Sequence, residues 1–298
     1  MKRGSTIRRD TSEGIALERK MITRRYLLEL MRDRCIGCEV CVLACPQEAI
    51  ERQPGSIENG SLAQRPTIEI DPAKCNFCGE CVVLCPVNAL RLTVNGQPEV
   101  PVLEYEAFPE LIKEISVNGA ALLPEAVAAC EASCPTEVIS VQTERDAAGR
   151  VTRVLDVQVD ESNCIYCQQC EAACPGVFGV TKPWEGRVIL DVGRCPEGCR
   201  ACVDICPTEA LVMREGRLIL DERFCLYCGA CQQVCPVEGA IRVERRRILH
   251  TPIKSGAWTL ALERLISVEA AARELAAKSQ AKRREVLSFL PAARRGGG

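Results

Sequence analysis

CLYCGACQQVCP (225–236) sets three cysteines two residues apart, then a fourth three residues later with proline directly behind it. Three thiols at that spacing share one tight turn and can reach three irons of a single iron–sulfur cube. The fourth, before the proline, points away toward the other cluster of a pair. The same pattern recurs as CIGCEVCVLACP (35–46), CNFCGECVVLCP (75–86) and CIYCQQCEAACP (164–175), and with one inserted residue as CPEGCRACVDICP (195–207). Five copies in one chain take up twenty of its 22 cysteines.

Three other readings fail on context. A disulfide framework belongs to small secreted domains, whereas this chain has 298 residues and a charged start without an apolar signal segment. The expected compartment is therefore a reducing cytoplasm. Structural zinc uses two C-x-x-C pairs, or cysteines with histidines, around one ion; here His250 is the only histidine. Cys195, Cys199 and Cys202 have the spacing of radical SAM enzymes, but that chemistry needs a large barrel after the motif. Fewer than a hundred residues remain, and another cysteine motif follows at once; a motif holds only in its structural context.

Around each motif lies the same small unit. IEIDPAKC (68–75), VQVDESNC (157–164), VILDVGRC (188–195) and LILDERFC (218–225) each run through an alternating apolar stretch and an Asp to the first cysteine. NALRLTV (88–94), TEALVM (208–213) and EGAIRV (238–243) supply a second apolar run behind the Cys-Pro. Period-two alternation bounded by polar turns predicts short strands on either side of a loop and a short helix. A sixth copy, EISVNGAALLPEAVAACEASCPTEVISV (114–141), keeps Cys130 and Cys134-Pro135 but has Pro124 and Val127 where the first two cysteines are expected. Self-similarity at this period marks an array of like units.

The array resembles tandem bacterial-type ferredoxin domains. It implies an α+β fold of short two-stranded sheets, short helices and cluster-binding loops, followed by a C-terminal helical tail. Six half-units make three domains, at 26–100, 110–182 and 185–250, with a basic N-terminal extension (1–25), a linker (101–109) and a basic tail (251–298). Crossed ligation within each pair assigns Cys35, Cys38, Cys41 and Cys85 to one cluster and Cys75, Cys78, Cys81 and Cys45 to a second. Cys164, Cys167, Cys170 and Cys134 make the middle set. Cys195, Cys199, Cys202 and Cys235 hold the fourth cluster, and Cys225, Cys228, Cys231 and Cys206 the fifth. The expectation is five [4Fe–4S] clusters in a degenerate six-site array. Cys130 and Cys174 are left without a cluster. As in ferredoxins that have lost one, they are expected to lie close, either as a disulfide or as buried thiols.

Aromatics make up only 4% of the chain, so the units bury little apolar surface and the clusters count as part of the fold. Phe77, Tyr166 and Tyr227 share one slot before the second cysteine and are expected to pack over the cluster. The net charge of −2 is uneven. Residues 1–34 and 251–298 each carry +5, leaving −12 on the cysteine-bearing middle. No nucleic-acid motif accompanies the basic ends, no stretch reads as a membrane span, and TRRYLLEL (23–30) lacks the apolar segment that a twin-arginine signal needs. Residues 255–290 read as the one long helical stretch, with Ser255 and Ser267 as N-caps, and as an anchor on another subunit in preference to a helix packed back on its own chain.

No dinucleotide loop, phosphate loop or acid–base constellation is present, so the chain is expected to be non-catalytic: three domains in file that carry electrons between other proteins. GRVILDVGRCPEGCRACVDICPTEAL (186–211), FCLYCGACQQVCPVEGAI (224–241), HTPIKSGAW (250–258) and KRREVLSFLP (282–291) resemble the polyferredoxin component of tungsten or molybdenum formylmethanofuran dehydrogenase. That resemblance implies docking through the tails to a pterin-containing tungsten or molybdenum subunit that reduces CO2. A heterodisulfide reductase or a ferredoxin would be the electron donor. The alternatives are the equivalent subunit of a hydrogenase, formate dehydrogenase or heterodisulfide reductase complex, and a free-standing ferredoxin carrier.

Overall fold

The computed structural model describes residues 6–253 and 255–266. Three units share one plan, in which the strand leading into the first loop pairs with the strand leaving the second. An inner strand pair joins the two loops. In the first unit the elements are β1 (Thr6–Asp10), β2 (Gly14–Lys20), β3 (Arg25–Met31), α1 (Val40–Ala44), β4 (Ile50–Gln53), β5 (Ser56–Glu58), β6 (Ser61–Gln64), β7 (Thr67–Ile70), α2 (Glu80–Leu84), β8 (Leu90–Val94) and β9 (Gln97–Pro98). Outer strands β3 and β8 pair antiparallel, with Leu28 opposite Leu92 and Leu30 opposite Leu90. These four leucines are buried, as alternation requires when one sheet face meets the core. Inner strands β4 and β7 place Ile50 opposite Ile70.

A short helix, α3 (Pro101–Glu104), leads to the middle unit: β10 (Glu114–Val117), α4 (Val127–Ala132), β11 (Ile139–Arg145), β12 (Val151–Val159), α5 (Gln169–Ala173) and β13 (Phe178–Thr181). The third unit has β14 (Trp184–Leu190), α6 (Ala201–Asp204), β15 (Leu211–Arg214), β16 (Arg217–Leu220), α7 (Ala230–Val234) and β17 (Ile241–Ile248), and α8 (Gly256–Leu265) follows. The outer pairs are β10–β13 and β14–β17, and the inner pairs β11–β12 and β15–β16. The mixed α+β class read from the repeat is the architecture found.

Residues 6–20, read from the sequence as part of a basic extension, are strands. β1 and β2 continue the first unit's sheet in the order β1-β2-β3-β8-β9, burying Ile15 and Leu17. Their charges are used locally: the buried carboxylate of Glu18 meets Arg9 at 2.9 Å, Arg25 at 2.5 Å and Lys20 at 3.5 Å. The TRRYLLEL segment lies largely in β3. The stretch read as a linker also packs, since Val102 and Phe108 are buried.

The units do not stand in file. The first and third touch directly: Arg200 N–H donates to Gly60 O at 2.7 Å and Leu62 N–H to Asp204 Oδ2 at 3.0 Å. Arg52 reaches Gln233 O at 3.0 Å, and Gln233 Nε2 donates to Glu39 at 2.6 Å. One core joins Ile36 and Ile68 of the first unit to Ile165 of the middle unit and to Ala201, Ile205, Leu226 and Val234 of the third. The middle unit leans on both neighbours, with Asn88 Nδ2 donating to Cys164 O at 2.8 Å and Gln169 Nε2 to Thr208 O at 2.7 Å. The physical reason is area. Units this small cannot bury enough apolar surface alone, so their helix and loop faces close on each other.

That closure corrects the expectation for the tail over residues 256–265. Ser255 caps α8 by accepting from Ala257 N–H at 3.2 Å. The helix then packs on its own chain, in a groove that units in a row would not offer. Trp258, Leu262 and Leu265 are buried against Val40, Ala44, Leu84, Trp184, Tyr227 and Ile248. Trp258 stacks edge-on with Phe108 at 5.1 Å and donates its indole N–H to His250 Nε2 at 3.1 Å. Ser267 and the stretch 268–290 lie outside the described residues. Among those described, no helix is long and apolar enough to cross a membrane.

Candidate functional site

The cysteine loops turn sharply because they enter the left-handed backbone region twice. Gly37, Phe77, Tyr166 and Tyr227, each just before a second cysteine, have φ of 55°, 62°, 55° and 50°. Glu39, Gly79, Gln168 and Gly229, just after it, have φ of 66°, 92°, 69° and 88°. Left-handed residues on either side of the second cysteine curl a run of backbone N–H groups inward, an arrangement suited to an anionic group. Tyr166 N–H donates to Cys164 Sγ at 3.4 Å and Tyr227 N–H to Cys225 Sγ at 3.3 Å. At the fourth cysteines, Ala49 N–H and Ala89 N–H donate to Cys45 Sγ and Cys85 Sγ at 3.3 and 3.2 Å. The loop with the inserted residue differs: Gly198 takes the left-handed turn before Cys199, but Arg200 after it has φ of −132°.

Each fourth cysteine faces the loop of the other half-unit. Cys85 lies in electrostatic reach of Cys35, Cys38 and Cys41, and Cys45 of Cys75, Cys78 and Cys81. Cys134 faces Cys164, Cys167 and Cys170. In the third unit, Cys235 stands with Cys195 and Cys202, near Cys199, and Cys206 with Cys225, Cys228 and Cys231. Three of these groups wall cavities. One is lined by Cys134, Cys164, Cys167 and Cys170. Another is lined by Cys206, Cys225, Cys228 and Cys231. The third is lined by Cys45, Cys75, Cys78 and Cys81. Phe77 and Tyr166 are buried and line their cavities.

Burial first, then neighbouring thiols, push Cys170, Cys202 and Cys225 up to about 12, and Cys41, Cys81 and Cys231 well above the usual thiol value. Four thiolates sharing a dry cavity repel one another, so they ionise together only around a compensating cation. Among the described residues no three His, Cys, Asp or Glu side chains converge on one point as a single-ion site requires. Sulfurs spread around a cavity, with N–H donors aimed at them, fit a cube whose irons sit apart.

Cys130 and Cys174 are together as well. Both are free and buried, and burial first, then the neighbouring Cys174 thiol, raises Cys130 above the usual thiol value. They share one core with Leu122, Val127, Val138, Val177 and Phe178.

Sequence reasoning missed the polar groups around these sites. Thr136 Oγ1 lies 3.5 Å from Cys134 Sγ, and Thr208 Oγ1 3.6 Å from Cys206 Sγ; the repeated Cys-Pro-Thr-Glu (134–137, 206–209) was the available signal. Cations sit over the three aromatic slots: Arg19 over Phe77 at 4.7 Å, Lys113 over Tyr166 at 5.1 Å and Lys182 over Tyr227 at 5.5 Å. Arg19 also donates to Cys75 O at 2.6 Å and Lys182 to Cys225 O at 3.1 Å. Arg19 comes from β2, whereas Lys113 and Lys182 each stand just ahead of the strand that enters their unit, far in sequence from the aromatic they cover.

A family model described as a 4Fe-4S dicluster domain matches residues 34–89, 128–177 and 194–239, one segment in each unit. The chain belongs to the 4Fe-4S dicluster domain family. The thiosulfate reductase electron transfer subunit PhsB of Salmonella typhi is 37% identical over 100 residues, 30% of this chain and 44% of that protein. UacF of Escherichia coli K12 is 30% identical over 93 residues, 30% of this chain and 12% of its own length. The chain thus spans less than half of either curated relative. Among solved structures, it is similar to a chain of the formate dehydrogenase–heterodisulfide reductase–formylmethanofuran dehydrogenase complex of Methanospirillum hungatei. The TM-score is 0.75 at 25% identity, covering 89% of this chain and 92% of that one. The dicluster loops therefore hold [4Fe–4S] clusters, and the middle dicluster match includes the half-unit that lacks two cysteines.

Proposed function

We propose that this chain is a non-catalytic polyferredoxin subunit with five [4Fe–4S] clusters, carrying electrons to or from a catalytic redox partner. The observation that carries this reading is the crossed grouping of thiols, three from one loop and the fourth from the other half-unit. The proposed ligands are Cys35, Cys38, Cys41 and Cys85; Cys75, Cys78, Cys81 and Cys45; Cys164, Cys167, Cys170 and Cys134; Cys195, Cys199, Cys202 and Cys235; and Cys225, Cys228, Cys231 and Cys206. The proposed domains are 26–100, 110–182 and 185–250. Cys130 and Cys174 hold no cluster.

A bound [4Fe–4S] cluster takes up and gives back one electron at a time. The chain's own part is to hold the thiolates, to present N–H donors to the sulfurs, and to keep water out with Phe77, Tyr166 and Tyr227. Backbone N–H groups and nearby cations favour added negative charge. Because the first and third units touch, the middle unit is one of two connections between them and not an obligatory bridge.

The specific assembly we favour is a cytoplasmic formylmethanofuran dehydrogenase complex, with a pterin-containing tungsten or molybdenum subunit as electron acceptor. Near-complete coverage of a chain from a complex of that name supports this choice. A thiosulfate-reductase-type partner is the second reading, supported by the relative PhsB. Anaerobic purification of the native complex with metal analysis tests both. About twenty irons per chain and a pterin enzyme acting on CO2 or formate are expected. About twenty-four irons would restore a sixth cluster, and zinc in place of iron would overturn the assignment.

A further inference from the structure

The junction between the first and third units holds a cation with no part in either loop. Arg245 lies in β17 and is half-buried. Its Nε donates to Tyr227 O at 2.8 Å, Nη1 to Leu265 O at 3.3 Å and Nη2 to Cys228 O at 2.5 Å. The guanidinium also lies 5.8 Å from the centre of the Trp184 ring. Gly229 marks how close the two units come: a Cβ there would stand 3.2 Å from Arg245 Nη2 and 4.0 Å from Cys38 O. The loop of Cys38 and the loop of Cys228 therefore flank one guanidinium, which interacts electrostatically with both thiols. Among the described residues no carboxylate lies within ion-pair distance of it. Glu39 beside it is engaged by Gln233.

An arginine keeps its charge at any working pH, and a charge held by three carbonyls in a low-dielectric junction acts strongly on both sides. We propose that Arg245 is a positioning and charge-tuning residue shared by the Cys35/Cys38/Cys41/Cys85 site and the Cys225/Cys228/Cys231/Cys206 site, forming a direct electronic junction between the first and third units. The inference rests on the cluster assignment proposed above. One guanidinium stabilises an added electron on either side of the contact, so the two sites stay close in potential and no proton needs to move. The middle unit is then a side branch.

The test uses the full chain, loaded anaerobically with iron and sulfide, in a redox titration followed by electron paramagnetic resonance. In R245Q, iron stays at about twenty per chain, two midpoints move to lower potential together, and the other three hold. R245K keeps the charge and shifts those two by less than half as much. A C164A/C167A chain loses one cluster's worth of iron but keeps the spin–spin interaction between the two Arg245-sensitive centres. Unmoved midpoints in R245Q at full iron overturn the inference. So does a uniform shift of all five, equal shifts in the two Arg245 variants, or loss of the interaction in C164A/C167A. If R245Q fails to load, R245K decides: full iron with near-wild-type midpoints supports the tuning role, and an equal loss of iron means Arg245 is purely structural. A wild-type chain without about twenty irons sinks the cluster reading itself, a result distinct from wild-type iron with unmoved midpoints.

Discussion

The first half of the first unit and the first half of the middle unit occupy the same place in the repeat, yet they solve it differently. In the first unit, Gly37 and Glu39 both adopt the left-handed conformation, and α1 begins only after Glu39. In the middle unit a 3-10 turn at Pro124–Ala126 runs straight into α4, with Ala126 and Val127 in the ordinary helical region. Left-handed non-glycine residues cost about 1–2 kcal/mol each, and in the cysteine loops that cost is met where three thiols are drawn around one site. Where Pro124 and Val127 replace cysteines, the turn relaxes to helix. Leu122, Val127, Cys130 and Cys174 then fill the space with a small dry core.

The sharpest break of this comparison is ligand removal on each side. A Cys35→Ala/Cys41→Ala chain should lose about four of about twenty irons, whereas Cys130→Ser/Cys174→Ser should lose none. Iron and sulfide quantitation decides, and iron loss from the second chain would mean that a cluster sits in the middle unit's first half after all. Next in size is the α8 seal. Trp258→Ala opens a cavity beside Val40 and Leu84 and should cost about 3–5 kcal/mol, read as an earlier urea midpoint under anaerobic conditions. An unchanged midpoint would return the tail to the role of an external anchor.

The dry core itself is tested by Leu122→Ala, expected to cost about 2–4 kcal/mol without changing iron content. If iron falls with it, that core supports a cluster rather than replacing one. The smallest effects have opposite signs. Glu137→Gly, at a left-handed turn behind Cys134, should stabilise by about 1 kcal/mol. Ala126→Gly, in right-handed backbone at the head of α4, should destabilise by about 0.5–1 kcal/mol. Thermal shifts of the same sign would refute the claim that the left-handed and right-handed positions differ in strain.

The cysteine motifs were legible because their spacing is a local property: each loop carries three thiols within seven or eight residues, and Cys-Pro marks the fourth. The strand before each loop was legible by its alternation, as in IEIDPAKC, where Ile68 and Ile70 turn out buried. Residues 6–20 were misread because their basic side chains drew attention from the alternation of Ile15 and Leu17. Arg245 was hidden in the run ERRR (244–247), where nothing separates the one guanidinium that turns into a junction from its solvated neighbours.

By itself the sequence determined where the cysteine motifs lie, how their thiols are spaced, and which half-unit lacks two of its cysteines. Metal ligation sets strict spacings along the backbone, and those spacings are written in order. Only the tertiary structure decided that the first and third units meet, that α8 lies across their contact, and that Arg245, Lys113 and Lys182 stand beside thiols far from them in the chain. Those choices follow from which apolar faces close when small units cannot bury enough surface alone, a condition that no single stretch of sequence records.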